Sequence, residues 1–278
     1  MKNIILFFLF ITLTSCSSDN DFNCSNSYNE SSDIKVKKVT VTFKNQWTSG
    51  KTVFNINSDN QIISETHNTF SKDFIYNNCR QLIKRDVNYF NEPDRITENY
   101  TEYDENGLFL EHMRGNYRVS VIDNTDPNSI EVRATLAGNN QYGTNGIWKF
   151  TNNRLISDGI FNYEYLNDNL ISLEIKDSGE KAMTEYYDLI NPISIFKLNT
   201  FGKRNIFFYA SDTFSTLYNF DQMVIDNSKN LPKKIIDFDK EASIKILNQK
   251  GNLVTNFIIE YSQSSVFLYS YEYLIEIE

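Results

Sequence analysis

The stretch Tyr163-Glu164-Tyr165-Leu166-Asn167-Asp168-Asn169-Leu170-Ile171 decides the fold of this 278-residue chain. Its two aromatic residues, Tyr163 and Tyr165, are separated by one position. A short run of Asn and Asp comes next, and a pair of aliphatic residues follows. Alternation of apolar and polar residues with a period of two is typical of a half-buried β-strand. Asn and Asp tolerate positive φ and bond to their own backbone, so they favour tight turns. The stretch therefore predicts a β-hairpin.

The same unit occurs four more times, at positions 54–63, 74–83, 100–109 and 148–156. In each copy the step from the last residue of the first strand to the first aliphatic residue of the second is five or six positions. Asn supplies the turns, because the chain has 36 Asn but only ten Gly and four Pro. The spacing between copies varies, which favours a meander of hairpins over a strict solenoid.

Other alternating segments extend this pattern. The further predicted strands are 117–121, 130–136, 244–247, 253–261 and 266–277. The first two of these form one more hairpin, around a loop rich in Asp and Asn.

Helix is predicted at only two places. One is 193–201, directly after Pro192, and the other is 213–220, where Ser211 or Asp212 would act as the cap. We therefore predict a single all-β domain over residues 34–278, an antiparallel meander of repeated hairpins that forms an extended or barrel-like sheet with little helix.

The N-terminus has the pattern of an export signal. Met1-Lys2-Asn3 provides a cationic start, and the apolar run that follows is too short to span a bilayer as a helix. Leu13-Thr14-Ser15-Cys16 resembles the bacterial lipobox, in which a peptidase cuts before the Cys and diacylglycerol is attached to its sulfur. We expect removal of residues 1–15 and a lipid anchor on Cys16.

Residues 16–33 are predicted to be the lipidated Cys and a flexible tether. Residues 17–33 have no aliphatic side chain and are rich in Ser, Asn and Asp, which is typical of a solvated linker. Asp19 and Asp21 resemble the signals that send lipoproteins of Bacteroidota-type bacteria to the cell surface. We predict an outer-membrane lipoprotein exposed on the surface, with the periplasmic face as the alternative.

Two cysteines remain after lipidation of Cys16. In an oxidising envelope Cys24 and Cys79 could form a disulfide that ties the tether to the domain. Two free thiols are the alternative, because the sequence does not give the distance between the two Cα atoms.

The formal net charge of −9 bears on the partners of the protein. Binding to nucleic acid depends on Lys and Arg side chains that neutralise phosphates. The acidic balance therefore argues against a nucleic-acid partner and is typical of a soluble surface.

Several segments resemble a known group of proteins. Tyr103-Asp104-Glu105-Asn106-Gly107-Leu108 and the hairpin stretch quoted first are similar to the units of YD-repeat-like lipoproteins from Bacteroidota. Lys229-Asn230-Leu231-Pro232-Lys233-Lys234 and the Tyr-rich C-terminal strand are also similar to that group. The resemblance covers roughly residues 50–278 and implies an all-β lipoprotein of unknown function. It implies no catalytic residues.

The sequence contains no recognisable catalytic motif, phosphate loop or cysteine cluster, and we predict no catalytic residue and no cofactor. Catalysis by imidazole would have to use His67 or His112, and both are expected to be surface or strand-edge residues.

Two sets of acidic residues have the spacing of oxygen ligands for Ca²⁺. They are Asp123, Asp126 and Asn128, and Asp237, Asp239 and Glu241. Solvated turn residues explain both sets equally well, and we predict no metal.

The C-terminal strand carries an aromatic stripe of Phe267, Tyr269, Tyr271 and Tyr273. One interpretation is a platform on which sugar rings stack, since Tyr combines an apolar face with a hydroxyl. Packing against neighbouring strands is the alternative, and the composition favours it.

Our leading hypothesis is a lipid-anchored protein of the cell envelope that binds glycan or protein without catalysis. The second is a structural or assembly subunit whose exposed strand edges pair with an outer-membrane partner. The third is a polysaccharide hydrolase, although nothing distinguishes one pair among the 36 acidic residues.

Overall fold

The computed structural model describes residues 33–103, 109–114, 117–126, 128–136, 139–152, 154–201, 220–238, 240–264 and 266–278. The first strands are β1 Val36–Asn45, β2 Ser49–Ile56, β3 Ile62–His67, β4 Phe70–Tyr76, β5 Leu82–Tyr89, β6 Glu92–Tyr103, β7 Phe109–Arg114, β8 Tyr117–Asp126 and β9 Ser129–Leu136. The others are β10 Asn139–Thr151, β11 Arg154–Ser157, β12 Phe161–Leu166, β13 Asn169–Ile175, β14 Lys181–Ile190, β15 Asn230–Asp237, β16 Lys240–Lys250, β17 Leu253–Gln263 and β18 Val266–Ile277. Helices α1 Pro192–Phe201 and α2 Phe220–Asn227 lie between β14 and β15.

The strands form one closed antiparallel ring. Each strand pairs with the next along the chain, and β1 pairs with β18 from Val36 opposite Ile277 to Asn45 opposite Tyr269. A single parallel bridge also joins β14 to β17 beside the short strand β15. The predicted all-β, antiparallel, barrel-like meander is confirmed, and each predicted hairpin is a pair of neighbouring strands.

The ring has two ends, which we call the near end and the far end. The near end is where the chain enters β1 and where the β2–β3, β4–β5, β12–β13 and β16–β17 turns lie. The far end carries the β1–β2, β3–β4, β5–β6, β15–β16 and β17–β18 turns. A strand rises about 3.3 Å per residue, so the length of β1 puts roughly 30 Å between the two ends.

The inner face of the ring is mostly apolar, and the outer face mixes charged residues with exposed aliphatic ones such as Met183 and Leu274. In β1, Val39 and Phe43 face inward, whereas Lys38 and Lys44 lie at alternate positions on the outer face. The same alternation occurs in β16, where the buried positions are apolar and the exposed positions between them are mostly polar. The hydrophobic core therefore lies inside the ring.

The two helices belong to this core. Nine of the ten residues of α1 are buried. Asn191 joins the helices, since its Nδ2 donates to the Ile225 and Ser228 carbonyl oxygens and its Oδ1 accepts the Ile193 N–H. Among the described residues no helix is long and apolar enough to cross a membrane.

The helix predictions have different outcomes. The predicted helix at 193–201 is confirmed as α1, which begins one residue earlier at Pro192. The second prediction and its caps, Ser211 and Asp212, lie outside the described residues except for Phe220, where α2 begins.

The near-end turns after β2 and β4 share one construction. Asn57 and Asn77 each accept, through Oδ1, the backbone N–H four residues further on. The fourth residue of each turn, Asn60 or Arg80, has a positive φ of 58° or 62°. These polar residues close the turns without glycine, as the abundance of Asn predicts.

Tyrosine hydroxyls tie hairpins together near the same end. Tyr76 donates to the Ile62 carbonyl oxygen at 2.6 Å, and Tyr186 donates to that of Leu170 at 2.6 Å. Each acceptor follows a near-end turn. Burial raises the pKa of Tyr76 and of Tyr186, so both hydroxyls stay protonated and available as donors.

Candidate functional site

The aromatic stripe of β18 faces into the ring. Tyr269, Tyr271 and Tyr273 lie on the same side of the strand as the core residue Ile275, and Phe267 lies beyond a register shift at the far end of the strand. Exposure increases toward the far end, because Tyr273 is 7 % exposed, Tyr269 and Tyr271 are half-buried and Phe267 is 42 % exposed. The stripe therefore runs from the core to the rim of the far end.

The inner part of the stripe packs against a neighbouring strand. Tyr273 stacks on Phe257 of β17, with ring centroids 4.8 Å apart and an angle of 4° between the planes. Phe257 is fully buried. This contact belongs to the core.

Four rings on the inner face near the far end form what we call the first patch: Phe43, Tyr261, Tyr269 and Tyr271. Tyr269 stacks on Tyr261 with a centroid distance of 4.5 Å. Tyr271 lies 5.3 Å from Phe43 and edge-to-face with Tyr269 at 5.8 Å. Tyr261 is 4 % exposed and the other three are half-buried. Mutual packing holds these rings in place while leaving part of their surface accessible.

A second patch lies on the inner face of β3, β4 and β5, and we define it as His67, Phe70 and Tyr89. His67 stacks on Phe70 at 4.9 Å between centroids, and Phe70 meets Tyr89 edge-on at 6.4 Å. All three are half-buried. Lys72 places its Nζ 4.9 Å from the centre of the Phe70 ring and 3.2 Å from Glu65 Oε2. The ion pair of Lys72 and Glu65 therefore lies next to the Phe70 ring of the second patch.

Gly50 of β2 lies between the two patches. It is opposite Phe43 in the register of β1 and β2. A Cβ at this position would be 3.6 Å from Nε2 of His67. The Nδ2 atom of Asn68 would be 3.9 Å away, so both side chains extend toward Gly50, which adds no side chain of its own between the two patches.

The far end also carries an exposed aromatic rim. Every described Trp, Phe or Tyr side chain in the exposed class lies in or next to a far-end turn: Trp47 at 85 %, Phe90 at 52 %, Phe238 at 40 % and Phe267 at 42 % exposure. Exposed apolar side chains that share one end of a molecule are candidates for contact with a partner. The near end has no such residue among those described.

The two histidines have separate positions. His67 belongs to the second patch, and its Nδ1 lies 3.0 Å from Thr69 Oγ1. The backbone of His112 pairs with Thr101 on β7, and its side chain lies outside the described part of the structure. His67 is thus a candidate for contact with a ligand, where we expected only a surface or edge residue.

The first acidic set forms turn bonds. Asp123 accepts the Thr125 N–H through Oδ1, and Asp126 accepts the Asn128 N–H in the same way. The bond from Thr125 lowers the pKa of Asp123. These bonds are those of solvated turn residues.

The second acidic set is divided. Glu241 pairs with Lys234 at 2.9 Å, Asp237 ends β15 and Asp239 lies outside the described residues. Within the described part of the chain, no three His, Cys, Asp or Glu side chains come together in a way that could hold a metal ion.

Cys79 lies in the β4–β5 turn at the near end. It is 4 % exposed and disulfide-bonded. Cys16 and Cys24 lie outside the described residues, so the pairing of Cys24 with Cys79 stays a prediction.

The charged groups buried near the helices serve the fold. Arg154 donates to the Asn227 carbonyl oxygen at 3.1 Å and pairs with Asp168 at 3.0 Å, which fixes α2 to the β12–β13 turn. Lys197 of α1 lies 3.9 Å from Asp226 of α2. Arg154 thus has a carboxylate partner in the β12–β13 turn, and Lys197 and Asp226 have each other, which offsets part of the cost of their burial.

Sequence reasoning identified Tyr269 and Tyr271 but did not identify Phe43, Phe70 or Tyr89. The available signal was an aromatic residue close to several of the far-end turns, as at Phe70 and Tyr89. To use this signal, one would have to know how strands from different hairpins pair with each other.

Comparison with known proteins finds similarity to solved structures. No family model and no curated protein matches the chain. A porin-like protein from Bacteroides uniformis, known from its crystal structure, is similar at a TM-score of 0.34 and 8 % identity, over 87 % of this chain and 96 % of that one.

Proposed function

We propose that this chain is a lipid-anchored protein of the bacterial cell envelope that binds a glycan, without catalysis, through the inner face of its far end. The first patch is the observation that carries the proposal, since its half-buried rings lie beside the exposed aromatic rim. An aromatic face stacks on the apolar face of a sugar ring, and the Tyr hydroxyls add hydrogen bonds.

The attachment of the chain supports display of that end. Asn60 holds the start of β1, since its Oδ1 accepts the Val36 N–H and its Nδ2 donates to the Ile34 carbonyl oxygen, both at 2.9 Å. A lipid on Cys16 would therefore tether the near end of the ring to the membrane. The outer face of the ring has charges such as Lys44 and Lys51 interspersed with its exposed aliphatic side chains, whereas contact with lipid requires a continuous apolar band. We therefore assign membrane attachment to the lipid alone.

We place the anchor in the outer membrane, with the domain on the cell surface. The support is the acidic residues Asp19 and Asp21, which lie three and five positions after Cys16. A surface location would bring the far end into contact with polysaccharides outside the cell.

Native gels containing polysaccharides test the proposal on the full-length chain in detergent micelles. We expect at least one polysaccharide to retard the wild type, and Tyr269→Ala and Tyr271→Ala to restore free migration. Tyr100→Ala is the matched control, because this half-buried ring lies on β6 opposite Lys84, away from both patches. Free migration of a folded wild type in every gel would disprove glycan binding.

An assembly role with an outer-membrane protein is the second candidate, and the exposed rim favours it. Pairing through free strand edges is not available to the described strands, because each has a neighbour on both sides. A partner would have to contact the rim. Crosslinking in intact cells that captures a partner with wild type but not with Trp47→Ala would support this role.

A further inference from the structure

We infer that the two patches are the ends of one binding track, which takes a long neutral polysaccharide lying across the strands. This rests on the proposed glycan binding and adds the length, direction and charge of the ligand. The track would occupy the inner face of seven adjacent strands, β17, β18, β1, β2, β3, β4 and β5.

Strand register places the two patches beside each other. Val41 of β1 lies opposite Tyr273 on one side and Thr52 on the other. Thr52 in turn lies opposite His67 of the second patch. A line perpendicular to the strands therefore passes from Tyr273 of the stripe to His67 of the second patch, and Tyr271 and Phe43 of the first patch lie two residues farther toward the far end.

The width of the track sets the size of the ligand. Neighbouring strands are about 4.8 Å apart, so seven strands span roughly 30 Å. Tyr261 and Tyr269 lie at one side of this span, and Phe70 lies opposite Tyr89 at the other. A disaccharide would contact one patch only, whereas a chain of several sugar units would contact both.

Gly50 makes the track continuous. A side chain here would project between Phe43 and His67, on the face that both occupy. With only hydrogen at this position, a polymer can pass over the backbone of β2 from one patch to the other.

The charges along the track favour a neutral ligand. Lys72 and Glu65 pair at 3.2 Å, with side chains only 10 % and 13 % exposed. Lys44 and Lys51 lie on the outer face of their strands, and Glu92 is exposed at the β5–β6 turn. The described residues therefore offer no surplus of positive charge to an anionic polymer.

Affinity as a function of chain length tests the track. The full-length chain would be titrated with graded oligomers of neutral glucan, mannan and xylan, and with an acidic polysaccharide. We expect affinity of the wild type to increase at least about tenfold from disaccharide to long oligomer for a neutral series, as a second aromatic contact provides. The acidic polymer should bind weakly.

Variants of the second patch should remove this gain selectively. Phe70→Ala and Tyr89→Ala should weaken long oligomers about tenfold and leave the disaccharide unchanged. Gly50→Trp should do the same by blocking the passage. The matched controls are Phe238→Ala, on the rim outside the track, and Lys51→Trp, on the outer face beside Gly50. Thermal unfolding establishes that each variant is folded. If Gly50→Trp does not fold, the binding of Phe70→Ala and Tyr89→Ala alone tests the track.

The outcomes separate the two proposals. If length has no effect and the second-patch variants bind like wild type, while Tyr271→Ala abolishes binding, the track is wrong and the glycan site stands. If no oligomer binds at all, the proposed function fails as well. Tighter binding of the acidic polymer would overturn the assigned charge of the ligand.

Discussion

At the scale of single residues, two turn positions with the same backbone conformation have side chains with different structural roles. Asn60 and Arg80 both have positive φ in equivalent turns. The Asn60 side chain is 1 % exposed as part of the core and bonds to the start of β1. The Arg80 side chain pairs in solvent with Asp59, at 3.1 Å. An exposed pair of this kind contributes about 0.2–1 kcal/mol.

Glycine substitutions should therefore separate the two positions. Asn60→Gly keeps the turn but leaves the buried Val36 N–H without its acceptor, so we expect the free energy of unfolding to fall by about 1–3 kcal/mol. Arg80→Gly should change the free energy of unfolding by less than about 1 kcal/mol. Glycine adopts positive φ without strain in the folded state, and this gain offsets the greater conformational freedom of the unfolded chain. Urea unfolding followed by circular dichroism measures both. Equal losses would mean that Asn60 acts only within its own turn.

At the scale of elements, buried tyrosine hydroxyls connect consecutive hairpins, and this connection should fail in alkali. The pKa of Tyr76 and of Tyr186 is raised from 10.0 by burial, and that of Tyr165 is raised to about 12. A raised pKa in the folded state stabilises the neutral hydroxyl. This stability is complete below the unfolded pKa near 10 and is lost as pH rises through the folded pKa.

We therefore expect tyrosine ionisation to leave the free energy of unfolding constant up to about pH 9 and to lower it steadily above pH 10. Replacement of Tyr76 and Tyr186 together by Phe should cost about 1–2 kcal/mol per site at pH 8, because each removes a hydrogen bond. The same variant should lose less stability between pH 8 and pH 11 than wild type does. Tyr100→Phe is the control, and an alkaline loss unchanged in the double variant would contradict the prediction.

Hairpins were predictable because their signals are local. Asn/Asp turns with flanking alternation occur within ten residues, and each predicted pair is present. Strand β1 was not predicted, although Val39, Val41 and Phe43 alternate clearly, because no Asn turn precedes it. Its pairing with β18 joins residues more than 200 positions apart. Ring closure therefore depends on packing that no local pattern contains.

The candidate site was predictable only in part, for the same reason. β18 alternates Tyr269, Tyr271 and Tyr273 with a second face that includes Leu268 and Leu274, so the strand alone does not show which face is inside. The partners of the stripe come from β1 and β17. The second patch comes from yet another hairpin, and only the complete ring brings it alongside.

At the scale of the whole molecule, the proposed points of attachment and recognition lie at opposite ends of the ring. The chain enters at the near end, and the disulfide-bonded Cys79 lies there too. If Cys24 is its partner, only eight residues separate the proposed lipid from the domain, with a flexible reach of roughly 16 Å. The far end would then stand away from the bilayer by the additional length of the strands.

Tryptophan fluorescence can measure this orientation, because Trp47 lies at the far end with 85 % exposure and the chain has only two Trp. With Trp148→Phe, the lipoprotein in liposomes should show Trp47 emission that aqueous acrylamide quenches and brominated acyl chains do not. The matched control replaces both natural Trp by Phe and introduces Leu166→Trp at the near end, where Leu166 is 58 % exposed. This probe should respond more strongly to the brominated lipid. The reverse order would mean that the aromatic rim inserts into the bilayer, which would overturn the outward display of the far end on which glycan capture at the cell surface depends.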